Sequence, residues 1–131
     1  MPQRTILVID DDIDLVEIIR VTLENEGYGV IDAQSGARGL ELAREMTPDL
    51  IILDVMMGQV DEGFQVAYEL RKGDSTRDIP IIMLTAVADQ TGFAFDPGKD
   101  SDFLPVNEFV EKPISPRQLI DKIRKHLPTE V

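Results

Sequence analysis

Three short runs of leucine, methionine and β-branched residues constrain this chain more than anything else in it. Ile6-Leu7-Val8-Ile9 leads into Asp10-Asp11-Asp12, Leu50-Ile51-Ile52-Leu53 into Asp54, and Ile81-Ile82-Met83-Leu84 into Thr85. A weaker fourth run, Phe109-Val110, leads into Lys112-Pro113. Runs that are apolar at every position suit strands covered on both faces, the usual situation in a parallel sheet. Open parallel sheets bind ligands in the crevice at the carboxyl ends of their strands. Three acids, a hydroxyl and a lysine are therefore expected to converge at one edge.

Helical patterns fill the spaces between the runs. Residues 13–26 place Leu15, Ile18, Ile19 and Leu23 on one face, and Gly27 stops the helix as a residue tolerant of positive φ. Tyr28 to Ala33 reads as a second strand. Ser35 can cap a helix running to Met46 with Ala37, Leu40 and Ala43 inward. A helix over 62–72 would bury Val66, Ala67 and Leu70, and Gly73-Asp74-Ser75 breaks it. Ser115-Pro116 opens the last helix with a cap residue and a first-turn proline, Gln118 completes a possible capping box, and Leu119, Ile120, Ile123 and Leu127 form its apolar face. Such alternation implies an α/β fold with a doubly wound parallel sheet and helices on both sides. The rhythm fails only over 86–106, where Gly92, Pro97, Gly98 and Pro105 oppose a helix.

The 131 residues are expected to form a single domain over 1–131, with no second domain. There is no cysteine, which excludes disulfides, thiolate metal sites and cysteine nucleophiles. The net charge of −12 opposes direct binding to nucleic acid. No apolar stretch approaches the ~20 residues of a membrane span, and no signal peptide pattern precedes the first strand, so a cytoplasmic location is expected.

The strand-end residues carry the chemistry. If the first and third strands are neighbours, Asp10, Asp11 and Asp54 meet. Clustered carboxylates resist ionising together, and a hard divalent cation such as Mg2+ resolves the conflict. Asp12, placed before the helix, suits a capping role and is left out of the site. Thr85 can hydrogen-bond a phosphoryl oxygen and Lys112 can neutralise another. Phosphoryl transfer needs in-line positioning and charge stabilisation more than covalent chemistry from the protein. A carboxylate can itself be the acceptor, giving an acyl phosphate. Elsewhere, Asp49 and Asp61 read as turn residues, and His126 suits the dipole at the end of the last helix.

In their order and spacing, Ile-Asp10-Asp11-Asp12, Leu53-Asp54-Val55-Met56-Met57, Leu84-Thr85-Ala86 and Glu111-Lys112-Pro113 resemble the receiver domain of two-component response regulators, over about residues 4–127. The resemblance implies a flavodoxin-like fold, a five-stranded sheet in order 2-1-3-4-5. It implies that Asp54 accepts a phosphoryl group from a sensor histidine kinase or histidine phosphotransfer protein. Asp10, Asp11, Asp54 and the Met56 backbone carbonyl would hold magnesium, while Thr85 and Lys112 would contact the phosphoryl group. Thr85 and Phe109 would be the switch pair that changes the interaction surface. A stand-alone phosphoacceptor of this kind turns over no external substrate and hands its signal to a downstream protein. Two other readings compete with it. One is a phosphorylation-independent scaffold, which would have no need of all five site residues. The other is a metal-dependent aspartyl-phosphate phosphatase, which Met56, standing where such enzymes place a second acid, argues against.

The sequence departs from the family in two places. The usual Met-Met-Pro-Gly-Met-Asp-Gly after the third strand is replaced by Met56-Met57-Gly58-Gln59-Val60-Asp61-Glu62-Gly63. The stretch between Thr85 and Lys112 is longer than usual, and its fourth helix is expected to be missing or replaced by a loop. Met56 and Val87 stand two residues after Asp54 and Thr85, where apolar side chains cannot orient a hydrolytic water. Introducing Met56→Asn with Val87→Glu should therefore hasten self-dephosphorylation, read as loss of the phosphorylated mass with time; slower loss would refute this reading.

Overall fold

The computed structural model describes residues 4–54, 62–85, 106–112 and 114–127, without the side chains of residues 62, 64 and 85. Five strands and four helices lie within them: β1 (Thr5–Ile9), α1 (Ile13–Asn25), β2 (Gly29–Ala33), α2 (Gly36–Met46), β3 (Leu50–Asp54), α3 (Glu62–Lys72), β4 (Ile81–Thr85), β5 (Glu108–Glu111) and α4 (Pro116–His126). The strands form one parallel sheet in order β2-β1-β3-β4-β5. That is the expected order. Residues 86–105, which carry nearly all of the stretch expected to lack a helix, lie outside the described residues, as do the altered 55–61 segment and Pro113. Among the described residues no helix is long and apolar enough to cross a membrane.

The continuous apolar runs are explained by burial on both faces. Ile6, Val8, Leu50, Ile52, Ile82, Leu84 and Val110 pack with Val16, Ile19 and Leu23 of α1 and Leu119 and Ile123 of α4. Their neighbours Leu7, Ile9, Ile51, Leu53, Ile81 and Met83 point the other way, against Ala43 of α2 and Val66, Ala67 and Leu70 of α3. Alternation along a strand with period two thus divides each run between two cores.

The helix boundaries obey their local signals. Asp12 caps α1 by accepting from the Leu15 N–H at 3.2 Å. Ser35 and Ser115 cap α2 and α4 by accepting from the Arg38 and Gln118 N–H groups. Gly27, at φ 94°, closes α1 in the left-handed region. Asp49 does more than turn the chain, since its carboxylate accepts the Thr5 N–H at 2.8 Å and so joins the starts of β3 and β1.

Two helix faces differ from expectation. In α1 it is Val16, not Ile18, that joins Ile19 and Leu23 in the core; Ile18 is 57% exposed. In α2 the buried positions are Gly36, Gly39 and Ala43, while Ala37 faces outward and Leu40 is half-buried. The reason in α2 is close approach. A Cβ on Gly39 would lie 2.5 Å from Ile9 Cδ1 and 2.8 Å from Ile9 Cγ1, so the helix rests directly on β1 one residue before Asp10. Sequence periodicity scores alanine as apolar and glycine as neutral, which rotates the apparent face.

At the far edge, Glu108 of β5 binds α4. Lys125 approaches it at 2.7 Å, Lys122 at 3.2 Å and His126 at 3.3 Å. Burial alone would raise the Glu108 carboxyl, but these hydrogen bonds outweigh it and hold the group down at about 2.

Gly39→Ala should destabilise the fold by about 1–3 kcal/mol through overpacking, more than its helix-propensity gain. Ile9→Val, which removes the Cδ1 atom, should recover part of the loss when combined with it. Urea denaturation of the two single variants and the double variant measures this; simple additivity would show that the contact is not the cause.

Candidate functional site

The register of the sheet brings the acids together. Ile9 pairs with Leu53, so the next residues, Asp10 and Asp54, leave β1 and β3 side by side. Asp10 N–H donates to Ala33 O at 3.0 Å, which carries the β1–β2 ladder one residue further and fixes where Asp10 stands. Both carboxylates are buried, Asp10 wholly, while Asp11 is exposed at the rim. One carboxylate oxygen from each of Asp10, Asp11 and Asp54 lies within 4.8 Å of the others.

Lys112 completes the group from the far side. It comes directly after β5, which is separated from β3 by β4. Its Nζ nevertheless reaches 3.3 Å from Asp54 Oδ2 and 3.7 Å from Asp10 Oδ2, crossing the end of β4 to do so. One ammonium thus faces two buried carboxylates.

That balance leaves Asp10 under strain. Its Oδ1 accepts the Asp12 N–H at 2.9 Å, but its buried Oδ2 has no hydrogen-bond partner. Burial above all, and the neighbouring Asp54 charge, push the Asp10 carboxyl up to about 6, against the lowering influence of the Asp12 N–H and the Lys112 charge. A hard divalent cation fits this donor set. It would supply the missing positive charge, take one or two of the carboxylates and fill the rest of its shell with water or phosphoryl oxygens.

Four of the expected site residues, Asp10, Asp11, Asp54 and Lys112, thus meet in one cluster. Thr85 is the last residue of β4, between β3 and β5, with its backbone level with Glu111. Phe109 is half-buried and packs against the core on the α2 and α3 side. Met56 and Val87 lie outside the described residues. Asp12 caps α1 and stays out of the cluster, as its place before the helix suggests. His126 contacts Glu108, far from the carboxylates in sequence and on another element.

Comparison with known proteins agrees with this geometry. The family model described as the response regulator receiver domain matches residues 6–124. The DNA-binding dual master transcriptional regulator RpaA of Synechocystis is 38% identical over 122 residues, covering 91% of this chain and 47% of that protein. The phosphate regulon transcriptional regulatory protein PhoB of Pseudomonas aeruginosa is 33% identical, covering 95% of this chain and 52% of that protein. The chain therefore spans about half the length of these curated relatives. Among solved structures, a response regulator from Chloroflexus aurantiacus superposes with TM-score 0.82 at 29% identity, covering 98% of this chain and 100% of the other. The chemotaxis response regulator CheY4 of Vibrio cholerae superposes with TM-score 0.80 at 26% identity, covering 95% and 99%.

The raised Asp10 carboxyl fixes the sign of a stability effect. A folded-state value of about 6, above the ordinary 3.8, means that the metal-free fold loses stability as pH rises across that interval, with no further loss above it. Asp10→Asn keeps the acceptor for the Asp12 N–H and abolishes the charge. It should be nearly neutral at the acid end of the interval and increasingly stabilising through it, in urea titrations at successive pH values without divalent cations. A gain that does not grow with pH would refute the assignment.

Proposed function

The chain belongs to the response regulator receiver domain family, and on that premise we propose that Asp54 is its phosphoacceptor. The observation that carries this reading is the buried Asp54 carboxylate at the end of β3, beside Asp10 and 3.3 Å from the Lys112 ammonium. The donor is a phosphohistidine on a sensor kinase or phosphotransfer protein. An Asp54 oxygen forms the new O–P bond while the P–N bond of the donor breaks, and the electron pair stays on the imidazole nitrogen. The product is an acyl phosphate, and the chain turns over no separate substrate.

Each site residue has a part in that step. The Asp54 oxygen is held by the strand, so little ordering is needed when the donor arrives. Lys112, already beside Asp54, stands where charge collects on the transferred phosphoryl oxygens. The Thr85 hydroxyl hydrogen-bonds another of those oxygens. Asp10, Asp11, Asp54 and the Met56 carbonyl would hold Mg2+, which would supply positive charge to offset the carboxylates and the phosphoryl group. Phe109 serves as the switch aromatic, and its half-buried position against the α2 and α3 core suits a ring with somewhere to move.

Output then passes to a downstream protein through the altered surface. The relatives of this chain include a DNA-binding regulator about twice as long as the matched region. A net charge of −12 disfavours nucleic acid as a direct contact of the receiver itself. A cytoplasmic setting suits a receiver that takes its phosphoryl group from such a phosphohistidine donor.

Intact-mass measurement after incubation with phosphoramidate and Mg2+ tests the proposal. Wild type should gain one acid-labile phosphoryl group, and Asp54→Ala none. Absence of the adduct on wild type would sink the reading, and an adduct on Asp54→Ala would move the acceptor elsewhere.

A further inference from the structure

Away from the carboxylates, the sheet contains a short strand with a single neighbour to set its register. β5 has four residues and, among the described residues, lies at the sheet edge and pairs only with β4. A short edge strand has few ladder hydrogen bonds with which to set its register. A slip of one residue would turn every side chain to the other face, and a slip of two would shift Lys112 by about 6.6 Å. Lys112 adjoins the end of β5, so its 3.3 Å approach to Asp54 depends on that register.

The features that fix the register lie at the opposite end of the strand. Asn107 N–H donates to Ile81 O at 2.8 Å, and Asn107 Oδ1 accepts the Ile81 N–H at 2.9 Å. The same Oδ1 accepts from Arg71 Nη2 of α3 at 2.8 Å. Arg71 Nη1 donates to Ile79 O at 2.7 Å and to Arg77 O at 2.8 Å. One guanidinium therefore joins the turn before β4 to the residue before β5. Only one side chain in this stretch fits that place. Val106, Phe109 and Pro105, which slips of one or two residues would bring there, have no side-chain acceptor. Glu108 has one, but the α4 cations already hold it on the other face.

We propose that Arg71 and Asn107 are positioning residues for phosphoryl transfer, clasping the start of β5 so that Lys112, at its other end, stands beside Asp54. The inference rests on the role proposed for Asp54 and Lys112 in phosphoryl transfer. Its signature is a split that plain loss of stability would not produce. Lys112 repels a cation bound by the same carboxylates that it helps to neutralise. Releasing the clasp should slow phosphorylation while tightening Mg2+ binding.

The test uses the full chain, phosphoramidate for the rate, and calorimetric titration with Mg2+ for affinity. Asn107→Leu should lower the phosphorylation rate about a hundredfold, the scale of a small misplacement of a reacting group. It should also tighten Mg2+ binding about tenfold, as expected when a neighbouring like charge withdraws. Asn107→Asp, which keeps the acceptor, should behave as wild type. In a Lys112→Ala background, Asn107→Leu should change neither quantity by more than about twofold. Weaker Mg2+ binding in Asn107→Leu, or an undiminished effect without Lys112, would overturn the proposal. If Asn107→Leu does not fold, Arg71→Gln removes the guanidinium while leaving the Asn107–Ile81 pairing, and should shift both quantities in the same directions. A wild type that takes up no phosphoryl group would refute the acceptor role, and the Mg2+ arm would still decide the clasp.

Discussion

The in-register pairing of β1 with β3 is the constraint on which the rest of this molecule depends. Ile6 to Ile9 and Leu50 to Leu53 lie side by side and are wholly buried. The same alignment obliges Asp10 and Asp54 to emerge together, two carboxylates at the edge of a dry core. Parallel strands share one direction, so their carboxyl ends all open onto the same edge of the sheet. The electrostatic conflict is thus a product of the fold itself. Lys112 settles it only in part: it stands 3.7 Å from Asp10 Oδ2, a buried oxygen without a hydrogen bond. A cation and a phosphoryl group are the natural complement of what remains.

Much of this could be read from the chain. A run apolar at every position has one economical explanation, and three such runs with a weaker fourth, most of them separated by helical patterns, imply a doubly wound sheet. The cluster was legible for the same reason: Asp10, Asp54 and Lys112 are polar residues placed where a buried run stops. Capping was legible at Asp12, Ser35 and Ser115, because an N-cap is a local interaction between a side chain and an N–H three residues on. The faces of α1 and α2 were read less well. Ile18 is as apolar as Val16 yet exposed, and Gly39 buries a surface that no hydropathy scale assigns to glycine.

Contacts between distant parts of the chain were not legible. Arg71 and Asn107 stand 36 residues apart and look like an ordinary helix-end charge and an ordinary turn residue. Their meaning depends on a third group, the Ile81 N–H, which only the folded sheet presents. Glu108 likewise reads as a solvated acid until α4 brings two ammonium groups and an imidazole around it. A polar residue immediately before a short apolar run was the available hint, and it applies to many turns that do nothing of the kind.

The division of each strand between two cores has a consequence for how this sequence can change. Leu7 and Val8 are joined by a peptide bond yet belong to different apolar layers, while Val8 shares its layer with Leu119, more than a hundred residues away. Substitutions at adjacent strand positions should therefore drift independently, and compensating pairs should be sought across the chain and never next door. Asp10 and Asp54 continue the parity of the α1 and α4 layer, so repacking on that side reaches the carboxylates first. The opposite layer reaches the site less directly, through Phe109 and through the Arg71 clasp at the start of β5. The sheet works as a partition, so each half of the protein answers first to its own packing.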